Sequence, residues 1–388
     1  MKVKSLKKSN WIIKMAWIFL LIVSIFSADV NISANSAEVL SSMRIVFVFI
    51  AIIGELIGKY KYSKYEILFL FIIGLLWIQA FVFHAVPVAI IGTMMFLIRR
   101  IPKEEFIRTT VLTISGVCII VIVLFKMHIL QDVTMDVGIR QARSSLGFAW
   151  PSRIQIFCLV VAGLNCMRAN HKHYNKLLIL TLIVSTVIFQ FTNAQYPYFL
   201  EVLLIIACIT VYNVKTKTLF GTIINIFIQN SRKIVKYLVI FTIVFTLVLF
   251  TKYDPTIEWM NSLDKVLSGR LTWQLIARES RPLTFFGSSI SMKQNTMYGF
   301  FDSGYLNILY GYGIFVFLLF TIFFIRSVSF AIKNKYIYDL IVLLIVATFS
   351  MFYGQMVLNV EFAGLLLICS YYIKKPHNLH RTLNTVST

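Results

Sequence analysis

Two polar stretches interrupt an otherwise apolar chain, and they hold the residues that could do chemistry. The first, 126–153, carries Arg140, Arg143 and Arg153 around Ser144-Ser145-Leu146-Gly147-Phe148. The second, 251–303, carries Arg270, Arg278 and Arg281 behind Leu267-Ser268-Gly269 and ends near Asp302. Arginine suits an anion clamp because its planar fork meets two phosphate oxygens at once and does not deprotonate. Asp254-Pro255 reads as an N-cap followed by proline at the first helical position, with apolar Ile257, Met260, Leu263 and Leu267 after it. A second helix is expected from Arg270 to about Ser280, ending before Pro282. On it Arg278 lies about 80° and Arg281 about 20° round from Arg270, over roughly 16 Å of axis. That length exceeds one phosphate and suits a diphosphate at one end with a sugar or second anion at the other. Arg270 would also sit beside helix N-terminal amides, which favour anions. Lys293, in the polar stretch 288–296, has no such geometry.

The same arginines could instead be salt-bridged surface residues, because Asp254, Glu258, Asp264 and Glu279 share their loop. Asp302 has two readings as well. It could pair with a loop arginine, or it could orient or deprotonate a sugar hydroxyl. Glu201 and Glu361, at the ends of apolar runs, carry the same pair of readings. Other chemistries are absent from the sequence. There is no GxGxxG, no Walker A loop and no HExxH, and no DxD pair to hold a divalent metal on a nucleotide sugar. No metal or cofactor is expected. His171 and His173 read as solvated surface histidines. Cys118, Cys158, Cys166, Cys208 and Cys369 fall in or beside apolar runs, so no disulfide framework is implied.

Elements able to position these loops follow from composition. Hydrophobic residues make up 59% of the 388 residues and charged residues 14%, against roughly 25% in soluble domains. Mean hydropathy is +0.81. Continuous apolar runs, rather than alternating ones, point to an all-α polytopic membrane protein instead of a barrel. Twelve spans are expected at 11–28, 43–58, 65–83, 86–98, 107–125, 154–167, 177–191, 198–214, 237–250, 304–325, 339–353 and 361–373. Together they form one integral membrane domain over 1–388, with both termini cytoplasmic and the two arginine-bearing loops outside. Lys and Arg cluster on the other side, in the positive-inside pattern. This distribution accounts for the net charge of +21 without nucleic acid as a partner. The segment 215–236 has apolar residues at helical spacing between basic ends, which fits an interfacial helix on the inner surface. There is no internal repeat of the kind that many secondary transporters show.

On these residues the chain resembles the Wzy-type polysaccharide polymerases of capsule, exopolysaccharide and O-antigen assembly, within the O-antigen ligase and polymerase group. The likeness lies in the topology, in Arg143-Ser144-Ser145-Leu146-Gly147-Phe148, in Leu267-Ser268-Gly269-Arg270, in Phe286-Gly287, and in Asp302-Ser303-Gly304-Tyr305 followed by Gly311 and Gly313. Family members often follow the LGF stretch with a small residue, His, Pro and Asn. Here Ala149-Trp150-Pro151-Ser152 stands there, with no histidine to act as a base. The resemblance implies a GT-C-like membrane glycosyltransferase at the outer face of the bacterial cytoplasmic membrane. Such an enzyme transfers a growing glycan from undecaprenyl diphosphate to a lipid-linked repeat unit, without metal and with inversion. It implies Arg143, Arg270, Arg278, Arg281 and Asp302 as catalytic residues, and Arg140, Arg153, Gly147, Phe148, Gly269 and Tyr305 as substrate-binding ones. Implied partners are the undecaprenyl-diphosphate-linked oligosaccharide and membrane lipid, with a flippase and a chain-length regulator as further candidates. Two readings compete: a lipid-linked oligosaccharide flippase, and a ligase that passes finished glycan to another acceptor.

Overall fold

A computed structural model describes residues 2–58, 60–83, 86–134, 143–169, 172–214, 219–267, 269–279, 281–287, 301–354 and 359–372, without side-chain detail at 2–5, 219–233 and 372. Among these the structure is helical, with no strand beyond an isolated antiparallel bridge between Val30 and Phe148. In order come α1 (Lys2–Ala28), α2 (Ala34–Ile57), α3 (Lys64–Phe83), α4 (Val86–Ile98), α5 (Lys103–Lys126), α6 (Pro151–Cys166), α7 (Tyr174–Thr192), α8 (Gln195–Asn213) and α9 (Leu219–Thr251). The short α10 (Glu258–Val266) and α11 (Arg270–Glu279) lie in the second polar stretch. A broken helix follows, α12 (Gly304–Leu306) running into a π-helical turn (Asn307–Tyr312) and then α13 (Gly313–Lys333). The chain ends with α14 (Ile337–Ser350) and a mixed 3-10 and α segment over 360–372.

Eight helices among the described residues are long and apolar enough to cross a membrane, and three shorter apolar ones accompany them: Val86–Ile98, Pro151–Cys166 and Ile337–Ser350. Their outward faces carry exposed large apolar residues such as Phe71, Phe81, Ile183 and Phe241, as a lipid-facing surface requires. Several expected boundaries move. The second helix begins at Ala34, not near 43, because Ser33 caps it by accepting from the Ser36 N–H at 3.4 Å. The expected interfacial helix is not separate: Leu219–Thr251 is one helix of 33 residues. At about 1.5 Å per residue it is roughly 50 Å long, more than the roughly 30 Å hydrocarbon core. Residues 215–218 lie outside the described set.

Contacts sort the connections into two ends. At the basic end, Arg100 pairs with Glu55 at 2.6 Å, Arg99 with Glu66 at 2.9 Å, Lys103 with Asp339 at 2.5 Å, and Arg168 with Glu104 at 2.7 Å. At the loop end, Asn31 donates to the Gly147 carbonyl, Ser144 to Phe191, and Ala149 to Asp29. Loops therefore alternate between the ends, as up-and-down helices demand.

The helix over 304–333 breaks where the second loop docks. The first N–H groups of α13, from Ile314 and Phe315, donate to the carbonyls of Thr284 and Phe285 at 3.1 and 3.0 Å. Helix-start amides have no partner in their own helix, so the loop supplies it. Gln79 of α3, buried in the bundle, donates to both the Phe286 and Tyr312 carbonyls at 2.6 Å. Gly287 and Gly313 make the approach possible. Both have positive φ, +93° and +88°, and a Cβ on Gly313 would come 2.3 Å from the Gly287 nitrogen. Gly313→Ala should therefore lose folded protein, with a cost of at least about 1–3 kcal/mol from the backbone alone. Gly116→Ala meets nothing within 4 Å and should elute and melt like the parent. Detergent size-exclusion with a thermal ramp distinguishes them; equal midpoints would refute the glycine contact.

Candidate functional site

The second loop is built around Asp264, a residue to which the sequence assigned only possible pairing with arginine. Its carboxylate accepts from the Leu271 N–H at 2.6 Å and the Thr272 hydroxyl at 2.6 Å, and from the Tyr253 hydroxyl at 3.2 Å. Gly269, at φ +79°, turns the chain so that α11 can fold back onto it. The expected helix at Arg270 is present, but its N-terminal amides are occupied by the protein's own carboxylate. They do not offer Arg270 a neighbouring anion site. The expected Asp254 cap also fails. Asp254 accepts from the Thr256 N–H at 2.9 Å and hydroxyl at 2.7 Å, closing a local turn that holds its carboxyl below the usual range, and the helix starts at Glu258.

Arg270 is the positioned cation. Its Nη1 donates to the Phe352 carbonyl at 2.6 Å and its Nη2 to the Tyr353 hydroxyl at 2.8 Å, while the guanidinium stacks 4.3 Å from the Tyr353 ring centre. Asp302 Oδ2 lies 3.6 Å away, an ion pair too long for a hydrogen bond. The Arg270 side chain remains 24% exposed, and two of its five N–H donors are committed to these hydrogen bonds. Asp302 is thus the arginine partner the sequence allowed. Its backbone is fixed by Gln274, whose amide oxygen, turned inward, accepts from the Asp302 and Ser303 N–H groups at 2.7 and 3.1 Å. Desolvation raises the Asp302 carboxyl above its ordinary pKa, and Arg270 opposes that rise.

The first loop meets this site through the α7–α8 turn. Arg143 donates to the Asn193 carbonyl at 2.7 Å. Three residues on, Tyr196 stacks on Tyr353, ring centres 5.6 Å apart, beneath Arg270. Arginines from both loops therefore reach the same end of the bundle, on either side of one turn.

Several of the other expected site residues have structural duties. Arg278 donates to the Thr251 carbonyl at 2.5 Å, closing the C-terminus of α9. Arg153 lies 3.1 Å from the buried Asp29 and over the Phe362 ring, so its charge is spent within the bundle. Phe148 and Tyr305 are fully buried, Phe148 against Phe157 and Tyr305 donating to the Ala347 carbonyl at 2.9 Å. Gly147 makes a turn at φ +88°, where a Cβ would press on Phe125. Arg281 is half-buried, with its pKa lowered by burial, and forms no side-chain ion pair or hydrogen bond among the described residues. Arg140 and Lys293 lie outside the described residues. Glu201 is enclosed by α6, α7 and α8, accepting from Ser185 at 2.5 Å and Gln155 at 3.2 Å. No group of three or more potential metal ligands occurs among the described residues.

The arrangement defines an all-helical protein with the apolar helices of a membrane-embedded bundle and a docked polar loop carrying an oriented, partly exposed arginine. No family model, curated protein or solved structure matches the chain. Asp264→Ala should lower thermal stability by about 1–3 kcal/mol, because buried α11 amides lose their acceptor. Arg281→Ala should stay within about 0.5 kcal/mol. Matched melting curves test this, and equal loss from both variants would contradict the division between the Asp264 scaffold and Arg281.

Proposed function

We propose that this protein is a metal-independent membrane glycosyltransferase of the polysaccharide-polymerase type. The reading extends the eleven apolar helices and the segment 360–372 to twelve crossings of a bacterial cytoplasmic membrane, with a GT-C-like arrangement, both termini inside and the loop end outside. The donor is a growing glycan on undecaprenyl diphosphate, and the acceptor is the terminal hydroxyl of a second lipid-linked repeat unit. The hydroxyl oxygen attacks the anomeric carbon. The bond from that carbon to the diphosphate oxygen breaks, and the electron pair leaves on undecaprenyl diphosphate. Asp302, with a pKa raised by its surroundings, takes the hydroxyl proton. Arg270 faces the charge that develops on the leaving oxygen, and Arg143 and Arg281 add to the cationic field. A flippase and a chain-length regulator are the protein partners of this reading.

The observation that supports it best is Arg270 itself: held by two hydrogen bonds and a ring, yet partly exposed, with donors to spare. Stabilisation of developing charge depends on donors fixed in advance. A lipid-linked oligosaccharide transporter is the second reading. It draws on Asp29, Glu201 and Glu361, acidic residues buried among helices, which such proteins use along their pathways.

Arg270→Ala should reduce polymer formation by about 10²–10³ at matched membrane levels. Arg270→Lys, which keeps the charge but loses the fork, should also be impaired, while Lys293→Ala should lose little. Near-normal polymer from Arg270→Ala removes this arginine from the site. Orientation has its own test. Single cysteines in a background lacking the five native ones should label from outside at 270, and from inside at 64, 172 and 333. Labelling of 270 from inside only would overturn the reading.

A further inference from the structure

A cavity of about 460 Å³ runs between α3 and α13. Its floor includes Ile91, Gly92 and Leu366, and its rim includes Tyr65, Leu68 and Ile322, which are 63%, 57% and 51% exposed. The groove therefore opens sideways, on the face where lipid lies. Gly92 keeps the floor deep, since a Cβ there would come 2.9 Å from Leu76 Cδ1. Along α3 it extends from Tyr65 to Leu76, roughly 16 Å at 1.5 Å per residue. That matches the tails of one leaflet, about half of a roughly 30 Å core.

One charge lines this groove. Arg326 sits at the end nearest the basic side, two turns before α13 finishes at Lys333. It is exposed and makes no ion pair or side-chain hydrogen bond among the described residues. Nearby acids are already engaged: Glu66 by Arg99 at 2.9 Å and Arg100 at 3.7 Å, and Asp339 by Lys103. Ser327, the other polar side chain beside it, donates to its own helix at the Phe323 carbonyl. A cation on a long stem can reach the headgroup level while its methylenes stay in the apolar layer.

We propose that this groove binds one anionic glycerophospholipid from the leaflet at the basic end, with its phosphate on Arg326 and an acyl chain along α3 and α13. Charge and depth together select that occupant. A zwitterionic lipid brings the same phosphate, but its headgroup ammonium offsets the attraction to Arg326. A polyprenyl chain held by its diphosphate at the loop end brings no anion to Arg326. Arg326 lies toward the end of α13 opposite to the one where the second loop docks, and the proposal does not rest on the glycosyl-transfer reading.

The test uses the full-length protein in nanodiscs of dioleoylphosphatidylcholine, titrated with dioleoylphosphatidylglycerol. Lipid retained through detergent exchange is counted by mass spectrometry, and the unfolding midpoint is followed. The parent should retain about one phosphatidylglycerol per chain and gain stability from it. Arg326→Gln should weaken that retention roughly tenfold and leave phosphatidylcholine unaffected. Leu319→Trp, which fills the groove with the charge intact, should lose phosphatidylglycerol as well. Because Arg326 is exposed and Leu319 only partly buried, both variants should elute as the parent does. Equal retention by Arg326→Gln and the parent overturns the proposal. So does equal stabilisation by the two phospholipids, or displacement of phosphatidylglycerol by equimolar undecaprenyl phosphate.

Discussion

A polar backbone group away from water must find a partner, and this constraint governs where the second loop sits. α13 begins inside the bundle, so its first amides cannot rely on solvent. Thr284 and Phe285 supply their carbonyls, and Gln79 ties Phe286 to Tyr312 from the neighbouring helix. The two glycines at 287 and 313 permit an approach that any side chain would block. The π-helical turn just before Gly313 brings the Tyr312 carbonyl to Gln79, while its Tyr310 stacks on Phe301 at 5.1 Å. The loop is therefore part of the helix bundle's own hydrogen-bond closure, and what it carries is held in place by that closure.

Charge is divided by the same logic. A buried ion needs a partner or it is costly. Arg153 answers Asp29, Arg278 closes α9, and Arg99 and Arg100 answer Glu66 and Glu55 at the far end. Asp264 caps α11 from within. Arg270 keeps its charge uncancelled by close carboxylates, since its partners are a carbonyl, a hydroxyl and a ring face and Asp302 stands 3.6 Å off, and unlike Arg278 it closes no helix end. An arriving anion can replace a loose contact of that kind without undoing the fold. The groove at Arg326 is an apolar surface whose cation has no ion pair among the described residues.

Much of the architecture was legible because apolar runs and lysine placement are one-dimensional properties. The run 65–83 is α3 to within a residue, and the break at Ser268-Gly269 with a helix from Arg270 follows from local chemistry. The pairing of Arg270 with Asp302 was among the open alternatives. What was hidden depends on contacts distant in sequence. Nothing near Gln79 signals that it will meet Phe286, 207 residues away. Phe148 and Tyr305 resemble site residues by neighbourhood, yet their rings fill the core. Arg278 has the spacing of a clamp and the duty of a cap, because the α9 terminus it meets lies 27 residues back. Asp254-Pro255 looked like a helix start, but Thr256 offered its carboxylate a nearer pair of donors.

The proposed glycosyl transfer at the loop end can be tested on the purified protein. The direct measurement is incubation of the purified chain, in proteoliposomes containing EDTA, with a cognate undecaprenyl-diphosphate-linked repeat unit. The account predicts longer glycans on lipid, with one undecaprenyl diphosphate released for each new linkage. Unchanged repeat units that have moved across the bilayer would contradict it, and would establish the molecule as a transporter.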